Sequence, residues 1–114
     1  MDMPDWVTGF PGAVTVSDAE NRIVWMNDKA AEVFAADGGR ALIGGDLRAC
    51  HNDRSKGILA RMLADGKPNV YTIEKKGIRQ FIYQAPWKDR DGRIAGLVEL
   101  SMEIPFELPH FVRS

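Results

Sequence analysis

The sequence predicts an α+β domain: one five-stranded antiparallel sheet, with a helical crossover covering one of its faces. Three observations carry this. Strand-like segments stand at both ends of the chain, and turn signals separate them. The helix-forming segments fall together in the middle. The chain has 114 residues, enough for one core and too few for two.

The elements follow in order. Pro4 opens a single helical turn that Gly9 and Pro11-Gly12 end. Ala13 to Ser17 alternates Val14 and Val16 with small or polar residues, the period of a half-buried strand. Asp18-Ala19-Glu20-Asn21 is a turn, since Asp suits its first position and Asn tolerates positive φ. Arg22 to Met26 is a second strand, rich in β-branched and aromatic residues. Asn27 or Asp28 caps a helix running to Ala36, because a short side-chain oxygen can accept a free N–H at a helix start. Asp37-Gly38-Gly39 stops it, and residues 40–51 are irregular or form single helical turns. Asn52 or Asp53 caps the strongest helix, which ends near Ala64 and carries Ile58, Leu59, Met62 and Leu63 on one stripe. Three strands follow: Val70–Glu74, Ile78–Trp87 and Ile94–Ile104. Lys75-Lys76-Gly77 and Asp89-Arg90-Asp91-Gly92 form the turns between them. Pro105 and Pro109 end regular structure.

Composition excludes several function classes. Fifteen basic residues against sixteen acidic ones leave no basic face for nucleic acid or for an anionic membrane surface. No apolar run is long enough to span a bilayer, and the acidic start Met1-Asp2-Met3-Pro4-Asp5 is unlike a secretory signal, so a cytoplasmic location is expected. A single cysteine excludes an internal disulfide framework.

The motifs in sequence resemble the PAS domain, a small sensory module. The resemblance begins at Phe10-Pro11-Gly12-Ala13-Val14-Thr15-Val16-Ser17-Asp18 and continues through Ile23-Val24-Trp25-Met26-Asn27-Asp28-Lys29-Ala30-Ala31-Glu32-Val33-Phe34. Leu42-Ile43-Gly44-Gly45-Asp46-Leu47 resembles the family's "IG-x-x-L" segment. Pro86-Trp87-Lys88-Asp89-Arg90-Asp91-Gly92-Arg93-Ile94-Ala95-Gly96 resembles its last hairpin. The organisation this implies is an N-terminal segment over residues 1–9, a PAS-like sensory domain over 10–104 and a tail over 105–114. The implied function is signal sensing and protein interaction, with a small molecule bound between sheet and helices. The implied partners are a second copy, met through the N-terminal segment and the outer sheet face, and an effector such as a histidine kinase or a transcriptional regulator. Catalysis, direct nucleic-acid contact and membrane insertion are not expected.

The larger apolar residues of each strand are expected to face the pocket: Trp25, Tyr71, Ile73, Phe81, Tyr83, Val98 and Leu100. Phe34, Leu47, His51, Ile58 and Met62 would close it from the crossover. Ile78, Ile82 and Leu97 then fall on the outer face, and Glu99 faces away from the pocket. Asn27 reads as a structural cap. A core this rich in large residues could equally be filled.

The ligand is unknown from sequence. His51, beside Cys50, leaves open a haem-binding gas or redox sensor, since neutral imidazole is a common axial ligand. The bland alternative is that His51 bonds a loop carbonyl and Cys50 packs as a small apolar residue. Arg48-Ala49-Cys50-His51-Asn52 does not match the family's reactive-cysteine flavin motif, so flavin photochemistry is not expected. No metal site is expected, because Cys50, His51 and His110 are too few for a closed zinc centre. A small α+β-cup hydrolase or isomerase is an alternative of another class, with Glu99, Asp46 and His51 its only ionisable candidates.

Overall fold

The structure, a computed structural model, describes residues 3–114. Met1, Asp2 and the side chain of Cys50, read above as an acidic start and a small packing residue, lie outside the described residues.

A short helix, α1 (Asp5–Thr8), precedes β1 (Ala13–Asp18) and β2 (Ile23–Met26). Asp18 makes the turn between these strands. Its Oδ1 accepts from the backbone N–H groups of Glu20 and Arg22, each at 2.9 Å, while Asn21 takes φ 63°. Helix α2 (Asp28–Val33) stops earlier than its sequence suggests and continues as a 3-10 turn over Ala35–Asp37. Two more 3-10 turns, Gly39–Leu42 and Leu47–Cys50, lead to α3 (Asp53–Asp65). Asn52 caps α3 by accepting from Ser55 N–H at 2.9 Å, and Gly66 ends it with φ 74°.

β3 (Asn69–Lys75), β4 (Ile78–Lys88) and β5 (Ile94–Ile104) form a meander. Lys76 and Gly77 both take positive φ between paired Lys75 and Ile78, the geometry of a two-residue hairpin turn. All pairings are antiparallel, and the strand order is β2-β1-β5-β4-β3. The chain's first and last strands are therefore neighbours, and β5 lies at the centre of the sheet.

Register fixes which side chains share a face. Thr15 pairs with Glu99, which pairs with Gln84, which pairs with Asn69. Ser17 pairs with Leu97 and Tyr71 with Ile82 on the same side. This is the face the helices cover. Val16, Trp25, Val98, Leu100, Phe81 and Tyr83 lie on the other.

Asn27 joins the parts and is fully buried. Its Oδ1 accepts from Val14 N–H at 2.9 Å and from Ala30 N–H at 3.0 Å. Its Nδ2 donates to the carbonyls of Gly12 at 2.8 Å and Val7 at 3.1 Å, with Phe10 O at 3.3 Å. One amide thus ties α1, the start of β1 and the first turn of α2, which is the structural role its position suggested.

A second junction sits between β1, β4 and β5. Trp87 Nε1–H donates to Ser17 O at 3.0 Å, directly over Gly96. A Cβ at Gly96 would lie 1.9 Å from Ser17 O and 2.8 Å from Asp18 Cα, so only glycine lets β1 and β5 pair here.

Most of the buried apolar residues form two clusters. Ala13, Ile23, Met26 and Ala30 pack under α2 with Phe34, Leu42 and Leu47. Leu59, Met62 and Leu97 pack under α3 with Ile58, Leu63 and again Leu47. Leu47 touches both clusters.

Candidate functional site

Between the two clusters the interior is hollow. A cavity of about 320 Å³ lies between the sheet and the crossover. Met26, Phe34, Leu42, Leu47, Leu59, Met62 and Leu97 make most of its wall. Its polar groups come mainly from the sheet: Thr15, Ser17, Gln84 and Glu99, with Asp37 and His51 from the crossover. Mostly apolar walls with a few convergent polar groups are the usual make-up of a small-molecule site.

The polar floor is a hydrogen-bonded chain across three strands. Asn69 Nδ2 donates to Gln84 Oε1 at 2.9 Å, and Gln84 Nε2 donates to Glu99 Oε2 at 2.7 Å. The bonds run one way, so they fix both amide orientations. Glu99 Oε1 accepts no hydrogen bond among the described residues.

His51 stands at the wall between this cavity and an adjoining cleft. The cleft, about 510 Å³, also touches Asn52, Arg54, Ser55, Ile58, Asn69 and Tyr71. His51, Leu59, Gln84 and Glu99 border both spaces. His51 Nδ1 lies 2.8 Å from the Leu47 carbonyl oxygen, which can only accept, so Nδ1 carries the proton and Nε2 is left for other partners. Partial burial, together with the nearby negative charge of Glu99, raises the pKa of the Tyr71 phenol and keeps it a neutral O–H donor.

The loop leading into the site is fixed by Asp46. Its carboxylate caps the 3-10 turn at Leu47 through Arg48 N–H at 2.8 Å and holds the Arg48 guanidinium at 3.0 and 2.8 Å. The Arg48 side-chain bonds, then its backbone N–H, hold the Asp46 carboxyl at about 2, below the usual 3.8. Asp46 therefore points at Arg48 and does not line the cavity.

The twelve residues expected at the pocket are distributed unevenly. Phe34, Leu47, His51 and Met62 border the cavity, Val98 adjoins it from β5 although its side chain lies on the other face of the sheet, and Ile58 and Tyr71 border the cleft. Trp25, Phe81, Tyr83 and Leu100 lie on the opposite face of the sheet. Ile73 shares the inner face with Tyr71 but lies beyond the helices, 42% exposed. The reverse correction applies to Ile82 and Leu97, expected outside and found buried inside, and to Glu99, expected to face away and found on the cavity floor. The physical reason is common to all. Alternation separates two faces of a strand without saying which one the helices cover. Hydrophobicity favours the more apolar face as the inner one, whereas the inner face of β4 and β5 carries Gln84 and Glu99 beside the cavity.

Sequence reasoning missed Thr15, Ser17, Gln84 and Glu99. The signal that could have found them is that these polar residues of adjacent strands fall on one shared face. A filled core would not leave such a strip facing inward without a purpose.

Glu99 bonds Gln84 and His51 bonds a carbonyl, so among the described residues the site assembles no acid–base pair between its ionisable groups. Among the described residues no group of three His, Cys, Asp or Glu side chains is placed to hold a metal, and no helix is long and apolar enough to cross a membrane.

Comparison with known proteins places this geometry. No curated protein sequence matches the chain. Solved structures do. A sensory box sensor histidine kinase from Vibrio cholerae superposes with a TM-score of 0.66 at 16% identity, covering 85% of each chain. The Aer2 receptor of Vibrio cholerae, described as a dual PAS-heme oxygen sensor, superposes at 0.64 and 15% identity over 82% of this chain and 95% of that one. VqmA bound to DPO superposes at 0.68 and 14% identity over 87% of this chain and 55% of that one, and VqmA is likewise a Vibrio cholerae protein. The family model described as the PAS fold matches residues 7–105. With that match over most of its length and this sheet order, the chain belongs to the PAS fold family.

Proposed function

We propose that this domain senses a small molecule held in the cavity between sheet and crossover and passes the signal through the outer face of its sheet. The observation that carries the reading is the divided core: two apolar clusters share Leu47 and flank a space of about 320 Å³ floored by Gln84 and Glu99. Apolar atoms entering this space would restore packing contacts that its lining otherwise lacks, so a guest would stabilise the fold. VqmA, which shares this fold over 55% of its length, is known bound to DPO, which supports a ligand-binding role.

The route outward is short. Glu99 lies on the central strand, and its neighbours Val98 and Leu100 project from the opposite face, where Val16, Tyr83 and Trp25 accompany them. A ligand that binds two packings of β4 and β5 unequally shifts their balance, and it can do so only through that difference in affinity. On the outer face, Phe10 packs over Gly12 beside Met102, while Val70 and Tyr83 are 45% and 38% exposed. That apolar surface suits a second copy, or an effector such as a histidine kinase or transcriptional regulator.

Native mass spectrometry of the purified chain, beside a Leu59→Trp variant, tests the reading. Leu59 is buried and borders both spaces, so a tryptophan there intrudes into them and obstructs a guest. The wild-type chain should retain or take up a small molecule that the variant does not. A bare mass for both, with no thermal shift across a small-molecule panel, overturns the reading.

A further inference from the structure

We infer that the cavity selects a small organic cation: an apolar body carrying an ammonium or similar N–H donor that meets the Glu99 carboxylate. This deepens the ligand-sensing reading above and rests on it.

The charge of the lining is one-sided. Asp37 and Glu99 border the cavity, and no lysine or arginine does. The nearest basic side chain on the lining is Arg54, which borders only the outer cleft. Glu99 is part-buried at the centre of β5, with one oxygen held by Gln84 and the other accepting nothing among the described residues. A neutral amide satisfies hydrogen bonding and leaves the negative charge uncompensated. The free oxygen of Glu99 is left open to the cavity, where an N–H donor carrying positive charge would be its best partner. Gln84 cannot rotate to offer a second acceptor, because Asn69 fixes its orientation. A carboxylate guest would meet the like charge of Glu99 and, at the exposed rim, that of Asp37, whereas an ammonium would meet an oriented acceptor. The remaining wall, with Phe34, Leu59 and Met62, takes the apolar body.

The test uses three size-matched probes: benzylamine, benzyl alcohol and benzoate. Each is titrated into the intact chain at neutral pH and followed by amide and methyl NMR. The expected order of affinity is benzylamine, then benzyl alcohol, then benzoate, with about tenfold or more between the first and last. Shifts should centre on Leu59, Met62, Gln84 and Glu99. In Glu99→Gln, whose amide oxygen can still accept from Gln84, benzylamine should lose its advantage over benzyl alcohol while the alcohol stays within about twofold. Benzoate binding as well as benzylamine in the wild-type cavity overturns the inference and leaves ligand sensing intact. So does an amine preference unchanged by Glu99→Gln. Failure of all three probes to shift the cavity residues overturns the inference and the ligand-sensing reading together.

Discussion

Removing the Asn27 side chain should cost this fold more than any other single truncation of a polar residue. Asn27→Ala deletes an acceptor serving Val14 N–H and Ala30 N–H, and a donor group serving the carbonyls of Gly12 and Val7. Each buried backbone group left without a partner costs about 1–3 kcal/mol, and loss of a helix cap alone costs about 1 kcal/mol. Water entering the space left by the side chain offsets part of this. The net loss is about 3–5 kcal/mol, a large fraction of the 5–15 kcal/mol typical of a domain. Asn27→Ser keeps an acceptor near Ala30 and loses the donor side, so its loss should be smaller. Urea unfolding, followed by far-UV circular dichroism, reads the difference as a shift in midpoint at unchanged slope. A loss below about 1 kcal/mol for Asn27→Ala, or equal losses for both variants, would refute the argument that this amide holds three segments together.

Three further outcomes follow from the same geometry. Gly96→Ala should destabilise by about 3 kcal/mol or more, because the added methyl meets the Ser17 carbonyl, and should shift tryptophan emission as Trp87 leaves its bond; a melting temperature within about 2 °C of wild type counts against it. Asp46 is held below its unfolded value of 3.8, at about 2, so its stabilising share is present above that unfolded value and is lost as pH falls toward about 2. The difference in melting temperature between wild type and Asp46→Asn should therefore shrink steadily from pH 5 to pH 2; a constant gap speaks against the Arg48 pairing. Tyr83→Lys on the outer face should weaken self-association in sedimentation velocity while leaving the fold intact, and an unchanged sedimentation coefficient would remove that face as the dimer surface.

The fold was largely legible because its signals are local. Asn27 and Asn52 announce helix starts, Asp18 and Asp89 announce turns, and the Lys76-Gly77 pair closes a hairpin; each rests on backbone chemistry within a few residues. Even the relation of Tyr83 to Leu100 on a common face follows from alternation. The candidate site was less legible because it depends on which face the crossover covers, a tertiary choice that alternation does not encode. Hydrophobicity points to Phe81, Tyr83 and Leu100, yet those residues lie on the outer face of the sheet. The inner floor of β4 and β5 holds Gln84 and Glu99 along with Ile82 and Leu97. On the crossover side, Phe34 and Met62 belong to stripes that helical spacing marks, Leu47 and His51 to the irregular stretch between the helices, and all four border the cavity. The shorter α2 reflects its ending in a 3-10 turn at Ala35–Asp37, where Gly38 takes φ 117° and the chain must bend to reach Gly39.

A xenon titration under pressure, read by methyl NMR, tests most directly whether the interior is a receptive space. Xenon enters apolar cavities without needing polar partners. It should shift the methyl groups of Met26, Leu59, Met62 and Leu97 in a saturable way, and leave Val70 on the outer face unmoved. If the methyls of those four residues stay fixed across the full pressure range, the core is solid and the domain can act only by protein contact.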